Sequence, residues 1–210
     1  MSEKTMNVEI TDGMNVVERI IKRLFDFFCS LFGLVVLSPV FLIVYIALRL
    51  QNDGSVIFKQ ERIGYKGKPF NIYKFRTMCT DSESNGKPQL AAKNDERLTK
   101  VGKFLREHHL DELPQLFNVF IGDMSFVGPR PERQYFIDKI MAVNPNYSKL
   151  FLIRPGVTSL ATIYNGYTDT LDKMLTRLEM DLDYLQKRSL WYDLKIIVTT
   201  VLNIITGKKF

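Results

Sequence analysis

The sequence predicts a mostly helical α/β globule carried on a broken apolar helix. Three features predict it. Residues 27–48 form an uncharged run of 22 with Ser38-Pro39 near its middle. Residues 56–78 hold two strand-like stretches around Gly64 and Gly67. Most of the remainder places apolar residues at helical spacing.

Residues 1–18 are largely polar and unpatterned, and read as a flexible tail. They are not a signal peptide, because the apolar run starts too late and is too long. Residues 19–50 form the apolar segment. A straight helix over the uncharged run measures about 33 Å against a hydrocarbon core of about 30 Å, so membrane contact is expected. Pro39 lacks an N–H and its ring crowds the Val35 carbonyl, which predicts a kink. The Ser38 hydroxyl is placed to bond back to the Leu34 carbonyl. Asp26 is placed to pair with Arg23 or Lys22. Both flanks are basic, with Arg19, Lys22 and Arg23 before the run and Arg49, Lys59, Arg62, Lys66 and Lys68 after it. Basic residues favour the cytoplasmic side, so both ends are expected there. The halves 27–37 and 40–48 each reach about half-way through the core, which predicts a re-entrant helix-break-helix.

Residues 51–210 supply the globule. Val56-Ile57-Phe58 begins a strand, Gly64 and Gly67 bracket a turn, and 70–78 is rich in aromatics and β-formers, so 56–78 is expected to be a hairpin. Residues 80–95, with Gly86 and Pro88, read as a loop. Leu98, Val101, Phe104 and Leu105 have helical spacing. A further helix starts near Leu113-Pro114, where proline suits a first turn, and stops by Gly122. Residues 132–142 and 168–189 are also expected to be helical. Residues 190–205 are apolar but interrupted by Asp193 and Lys195. They predict an amphipathic helix lying on the protein or on a membrane surface, with Lys208 and Lys209 near the headgroups.

The net charge is +6, from 29 basic and 23 acidic residues. This balance favours an anionic partner: a phosphorylated ligand, a phospholipid surface or nucleic acid. Cys29 and Cys79 form no C-x-x-C pair and read as two inert thiols in a reducing compartment.

Asp111-Glu112 falls at the entry to a predicted helix. Adjacent carboxylates repel, so together they bind a cation, and one can attack phosphorus where a metal neutralises the target. Acidic residues in a first turn also complement the helix dipole, so spacing alone leaves both readings open. Gly128-Pro129-Arg130-Pro131 and Arg154-Pro155-Gly156 are stiff turns that each present one arginine. A guanidinium fork matches phosphate oxygens, although either turn alone is also an ordinary proline turn. Asp181-Leu182-Asp183 has the D-x-D pattern of metal sites, but in a helical stretch residues i and i+2 point apart. His108-His109 has no spaced partner for zinc and reads as a surface pair. No G-x-x-x-x-G-K-[ST] or G-x-G-x-x-G phosphate loop occurs.

Taken in order, Leu110-Asp111-Glu112-Leu113-Pro114-Gln115-Leu116, Gly122-Asp123-Met124-Ser125 and Gly128-Pro129-Arg130-Pro131 resemble the bacterial sugar transferase family. These are small monotopic polyprenol-phosphate phosphoglycosyl transferases. The similarity extends to Gln60-Glu61-Arg62-Ile63-Gly64, to Tyr73-Lys74-Phe75-Arg76-Thr77-Met78, to Arg154-Pro155-Gly156-Val157-Thr158 and to the Ser38-Pro39 break. The resemblance covers residues 19–207. It implies a compact α/β globule on a re-entrant helix, with interfacial amphipathic helices. It implies a UDP-sugar donor, undecaprenyl phosphate as acceptor, Mg²⁺ as cofactor and a first membrane step in a bacterial glycan pathway such as exopolysaccharide synthesis. Residues 51–210 would then be a catalytic domain facing the cytoplasm, at the bacterial inner membrane. The family's nucleophile and metal ligand falls on Asp111, with Glu112 as its partner. Family positions for phosphate and nucleotide contacts fall on Lys74, Arg106, Arg130 and Arg154. The chain departs from the common pattern at His108-His109, where Thr-Ser is frequent, and at Ser159-Leu160-Ala161-Thr162. Two rival functions differ in kind. A nucleic-acid module accounts for the basic and aromatic content of 56–78 but leaves the apolar segment and the carboxylate pair unexplained, so no nucleic acid is expected. A glycosyltransferase making a polyprenyl monophosphate sugar would release UDP, where the family's reaction releases UMP.

Overall fold

The computed structural model describes residues 10–51, 54–79, 95–166 and 170–206. Two helices open the chain, α1 (Val16–Val36) and α2 (Ser38–Leu50), bent by 59° at Leu37. No single described helix is long and apolar enough to cross a membrane, although this bent pair passes together on length and composition. Asn15 and Glu18 close a capping box at the start of α1, so the helix begins well before the apolar run. Ser38 bonds the Val35 carbonyl at 2.7 Å, not that of Leu34. Leu37 (φ −87°, ψ 2°) is the C-cap of α1 and stands at the break before Ser38.

The buried face of α1 is polar. Lys22, Asp26 and Ser30 point into the globule, while Ile20, Ile21, Leu24, Phe25, Phe28 and Phe32 are exposed. A helix facing water shows the reverse pattern. Each inward charge is met. The Lys22 ammonium pairs with Asp193 and donates to the Val127 carbonyl at 3.0 Å. Asp26 accepts from the backbone N–H of Phe126 at 3.1 Å and also feels the charges of Lys22 and Arg23, the two cations the sequence offered it. Arg23 donates instead to the carbonyls of Val119 and Phe120 at 2.7 and 2.9 Å.

The expected hairpin is β1 (Ile57–Ile63) antiparallel to β2 (Pro69–Phe75), turned by a 3-10 segment at Tyr65–Gly67. Val44 and Leu48 of α2 pack with Val56 and Phe75 against Leu105. Helix α3 (Lys100–Glu107) is capped by Thr99, and α4 (Gln115–Ile121) ends in left-handed Gly122 at φ 95°, both near their predicted bounds. Helices α5 (Gln134–Val143) and α7 (Leu171–Lys187) also follow the predicted spacing. The 3-10 stretch Pro145–Leu152 packs with them into one apolar cluster. Two short strands that periodicity did not disclose, β3 (Ser125–Val127) and β4 (Gly156–Thr158), pair in parallel. Helix α6 (Leu160–Asn165) follows β4, and α8 (Leu190–Ile205) closes the described chain. The two interruptions of α8 differ: Asp193 turns inward to Lys22 and to the Tyr184 hydroxyl at 2.6 Å, whereas Lys195 lies over the ring of Trp191. Trp191, Leu194, Val198 and Val201 are exposed.

Of the tail expected over 1–18, residues 1–9 lie outside the described residues, residues 16–18 open α1, and Asp12 and Gly13 bond to the end of α7. Gly13 N–H bonds the Leu185 carbonyl at 2.9 Å, and Asp12 takes two bonds from Arg188 at 2.6 and 2.8 Å. The predicted loop over 80–95 falls almost wholly outside the described residues, as do Lys208 and Lys209. Cys29 and Cys79 are free thiols.

The Lys22–Asp193 pair predicts a stability pattern. Asp193→Leu strands a buried ammonium and should cost about 3–5 kcal/mol, whereas Lys22→Met with Asp193→Leu should recover most of it. Thermal unfolding of the three proteins checks this. Equal losses in the single and double variants would mean that the pair does not hold α1 to α8.

Candidate active site

Asp111 and Glu112 sit in a 3-10 turn, Leu110–Glu112, immediately before α4. His109 sets up that turn with a left-handed backbone, φ 54°, a conformation that few residues other than glycine, asparagine and histidine tolerate. Helix α4 is fixed to the hairpin by Asn118, which is fully buried. Its amide oxygen accepts from Tyr73 N–H at 3.0 Å and its amide nitrogen donates to the Asn71 carbonyl at 2.7 Å. This side chain takes the place of a third strand along β2. It sets the hairpin so that Lys74 reaches Glu112 at 2.5 Å.

The two carboxylates are therefore unequal. Burial alone would raise Glu112, but Lys74 and Arg130 outweigh it and hold the group well below its ordinary value. Asp111 is 7% exposed and has no ion-pair partner of its own among the described residues. Burial first, and then the Glu112 charge, raise it to about 6, against the pull of Lys74 and Arg106. His109 is lowered by burial and by Lys74 and Arg130, which outweigh Glu112, so its neutral form is favoured.

The predicted residues Lys74, Arg106, Asp111, Glu112 and Arg130 thus share one electrostatic environment. Arg154 is held differently. Its Nε donates to the Gly122 carbonyl at 2.8 Å and its guanidinium lies over the Tyr65 ring at 5.1 Å. The two proline turns pack back to back: Gly128 N–H bonds the Thr158 carbonyl at 3.1 Å and Gly156 N–H bonds the Pro129 carbonyl at 2.9 Å. A Cβ on Gly156 would stand 2.1 Å from the Gly128 nitrogen, so both positions require glycine. The D-x-D decoy separates as expected, with Asp181 buried and Asp183 paired to Lys187 at the surface. Sequence reasoning passed over Asn118 and read His109 as a surface residue. A single polar side chain inside an apolar helix was the available signal for Asn118.

Among the described residues, no cluster of three acidic, histidine or cysteine side chains forms a protein-only metal cage. Mg²⁺ commonly takes one or two carboxylates together with substrate phosphates and water, and Asp111 beside a cationic rim fits that mode.

Cations that face a carboxylate pair suit a phosphate-bearing ligand, and the apolar outer helices suit one presented from lipid. The combination is a carboxylate pair among cations on a chain with an apolar outer face. Residues 17–207 match the model of the bacterial sugar transferase family, and the chain belongs to it. It is 45% identical over 190 residues to a UDP-glucose:undecaprenyl-phosphate glucose-1-phosphate transferase of Klebsiella pneumoniae, a match covering 90% of this chain and 41% of that protein. It is 40% identical over 187 residues to a UDP-N-acetylgalactosamine-undecaprenyl-phosphate N-acetylgalactosaminephosphotransferase of Aeromonas hydrophila, covering 89% and 44%. It is 40% identical over 201 residues to the exopolysaccharide production protein PSS of Rhizobium leguminosarum bv. phaseoli, covering 92% of this chain and 100% of that protein. The chain thus spans less than half the length of the first two relatives.

The raised Asp111 has a consequence for stability. Its folded value, about 6, lies above the ordinary 3.8, so the folded state holds its proton longer. The stability this gives is complete below about pH 4 and is lost as pH rises through about 6. Asp111→Asn removes the cost of the buried charge. In chelator at pH 7 its Tm should exceed wild type by roughly 6–12 °C, and the gap should close toward pH 4. Equal values at pH 7 would contradict a buried, unneutralised Asp111.

Proposed function

We propose that this chain transfers a sugar 1-phosphate from a UDP-sugar to undecaprenyl phosphate, forming undecaprenyl-diphospho-sugar and UMP. The observation that carries the reading is the inequality of the carboxylate pair. Lys74 neutralises Glu112 and leaves Asp111 buried and more basic, and environments that push two adjacent acids apart mark distinct chemical roles. The activities for which the relatives are named support the substrates.

In this reading an Asp111 oxygen attacks the phosphorus that bears the sugar. The bond from that phosphorus to the bridging oxygen breaks, and UMP leaves with the bridging oxygen and its electron pair. The sugar phosphate remains as an acyl phosphate on Asp111. An oxygen of undecaprenyl phosphate then attacks the same phosphorus, and the Asp111 carboxylate departs. UMP leaves before the lipid reacts, which gives ping-pong kinetics. Arg106 and Arg130 face the pair and stabilise charge on the transferring group. Arg154 uses its Nε on Gly122 and turns its outer nitrogens to the nucleotide phosphate. Asp111, assisted by Glu112, would hold Mg²⁺, which when bound offsets the donor's negative charge.

The same proposal places α1 and α2 in the bacterial inner membrane as a re-entrant pair, with α8 lying at the interface. The 59° bend, the basic residues on both flanks and the inverted amphipathicity of α1 support this. The catalytic domain then faces the cytoplasm, where the donor is soluble and the lipid arrives from the side.

Two measurements test these steps. Incubating the chain with UDP-sugar and Mg²⁺, without lipid, should release UMP and leave a sugar-phosphate adduct on the peptide containing Asp111. Asp111→Asn should abolish both, while Glu112→Gln should slow both. UMP formed only in the presence of lipid, with intersecting initial-rate lines, would instead indicate direct transfer. Cysteines placed singly near the N-terminus and after Leu50, in a Cys-free background, should both label from the cytoplasmic side. Periplasmic labelling of the N-terminal one would sink the re-entrant assignment.

A further inference from the structure

Behind the turn that presents Arg130 lies a group of buried charges that the proposed reaction does not use. Glu132 is 7% exposed and follows the turn directly. Its carboxylate accepts from Arg62 Nη1 at 3.2 Å and from Arg177 Nη1 at 3.0 Å. Arg62 belongs to β1 and Arg177 to α7. The backbone on either side is tied down as well. Arg62 Nη1 also donates to the Pro131 carbonyl at 3.1 Å, and Ile63 N–H donates to the Glu132 carbonyl at 3.0 Å.

Stability alone is a poor account of this cluster. Arg62 Nε, Arg177 Nε and Asp181 Oδ1 are buried with no hydrogen-bond partner, and a partly satisfied buried ion group is less stable than an apolar one of the same shape. Its like charges also matter. Arg62 and Arg177 each sense Arg130 as a repelling neighbour. Glu132 is the carboxylate that bridges both of them, and it does so at the base of the segment that carries Arg130. Without it, two buried guanidiniums would face a third with no shared counter-ion, and the turn would lose its side-chain tie to α7 and one of its ties to β1.

We propose that Glu132 is a positioning residue for Arg130: by bridging Arg62 and Arg177 it fixes the 128–131 turn and aims the Arg130 guanidinium at the carboxylate pair. This rests on the reading above, in which Arg130 holds donor phosphate. A displacement of about 1 Å in such a group is worth roughly 100-fold in rate.

The test is a double-mutant cycle on the full chain, with Glu132→Gln, Arg130→Ala and both together. It is read on kcat/KM for UMP release and on the Kd of UDP by calorimetry. In the wild-type background Glu132→Gln should lower kcat/KM by roughly 10- to 100-fold. In the Arg130→Ala background the same change should alter kcat/KM and Kd by about twofold at most. Tm should fall by a similar amount, roughly 5–10 °C, in both backgrounds. Equal losses of kcat/KM and of UDP affinity in the two backgrounds would overturn the proposal, since a purely structural glutamate acts regardless of Arg130. Should Glu132→Gln fail to fold, Glu132→Asp, which keeps the charge on a shorter arm, takes its place in the cycle. Undiminished kcat/KM in that variant would also overturn the proposal. A wild-type chain that binds UDP but releases no UMP defeats the transferase reading, and the cycle read on Kd still decides for Glu132. No binding of UDP to the wild type overturns both.

Discussion

Lys22, Asp26 and Ser30 lie four residues apart on α1, and this polar stripe is what the helix turns toward the rest of the chain. Buried charges are tolerated only when they are paired or hydrogen-bonded. The partners of this stripe therefore constrain the fold: Asp193 and Val127 for Lys22, and the Phe126 N–H for Asp26. One contact positions α8 and the other two position β3. Arg23 then binds the last carbonyls of α4, where a cation also meets the negative end of a helix. An apolar face turned outward and a polar face turned inward are two sides of one requirement. A helix whose outer surface suits lipid must attach to its own domain by charge and hydrogen bonds, because its apolar side chains are already committed.

The carboxylate pair inherits its order from that attachment. Helix α4 carries the Leu110–Glu112 turn at one end and Arg23's contacts at the other. Asn118, in the middle, grips the edge of β2. The hairpin register pairs Phe58 with Lys74, and a slip of one residue would send Lys74 to the opposite face. The difference between Asp111 and Glu112 is thus a matter of where one ammonium is delivered. Adjacent acids with the same solvent access would repel and titrate as a pair. Here the lysine selects one of them for neutralisation and leaves its neighbour basic.

Much of this was legible in the sequence, for a physical reason. Helices α3, α4, α5, α7 and α8 and the hairpin announce themselves by local periodicity and by capping or turn residues such as Thr99, Pro114, Gly122, Gly64 and Gly67. The strands β3 and β4 have three residues each, too few to show an alternation, and they meet only through the tertiary fold. The hydrogen-bond partners of Asp26 and Asp193 were left open because they lie far along the chain. Ile10, Asp12 and Gly13 looked like tail because polar composition says nothing about the Arg188 guanidinium waiting for Asp12. Of the candidate site residues, Asp111, Glu112 and Arg130 drew notice from their local chemistry, whereas Lys74 and Arg106 were legible only through an ordered set of motifs. What brings them together is a backbone path that no spacing rule contains.

That path also explains why two separate proline turns belong to one unit. Proline fixes φ on either side of Arg130 and after Arg154, which stiffens each turn but leaves their relation open. The relation is set by Gly128 and Gly156, whose backbones approach so closely that a Cβ on either would overlap the other's main chain. Parallel pairing of β3 with β4 brings them there, and the Asp26 carboxylate holds β3 to α1 through Phe126. From the apolar helix to the two proline turns there is thus a connected series of hydrogen bonds, in which Lys22 and Asp26 hold β3 to α1 and backbone pairing joins β3 to β4. Arginines mounted in this way lose little freedom when they meet an anion, because their mounting is ordered before it arrives. The polar stripe of α1 is in this sense part of the site, although none of its residues reaches the carboxylates.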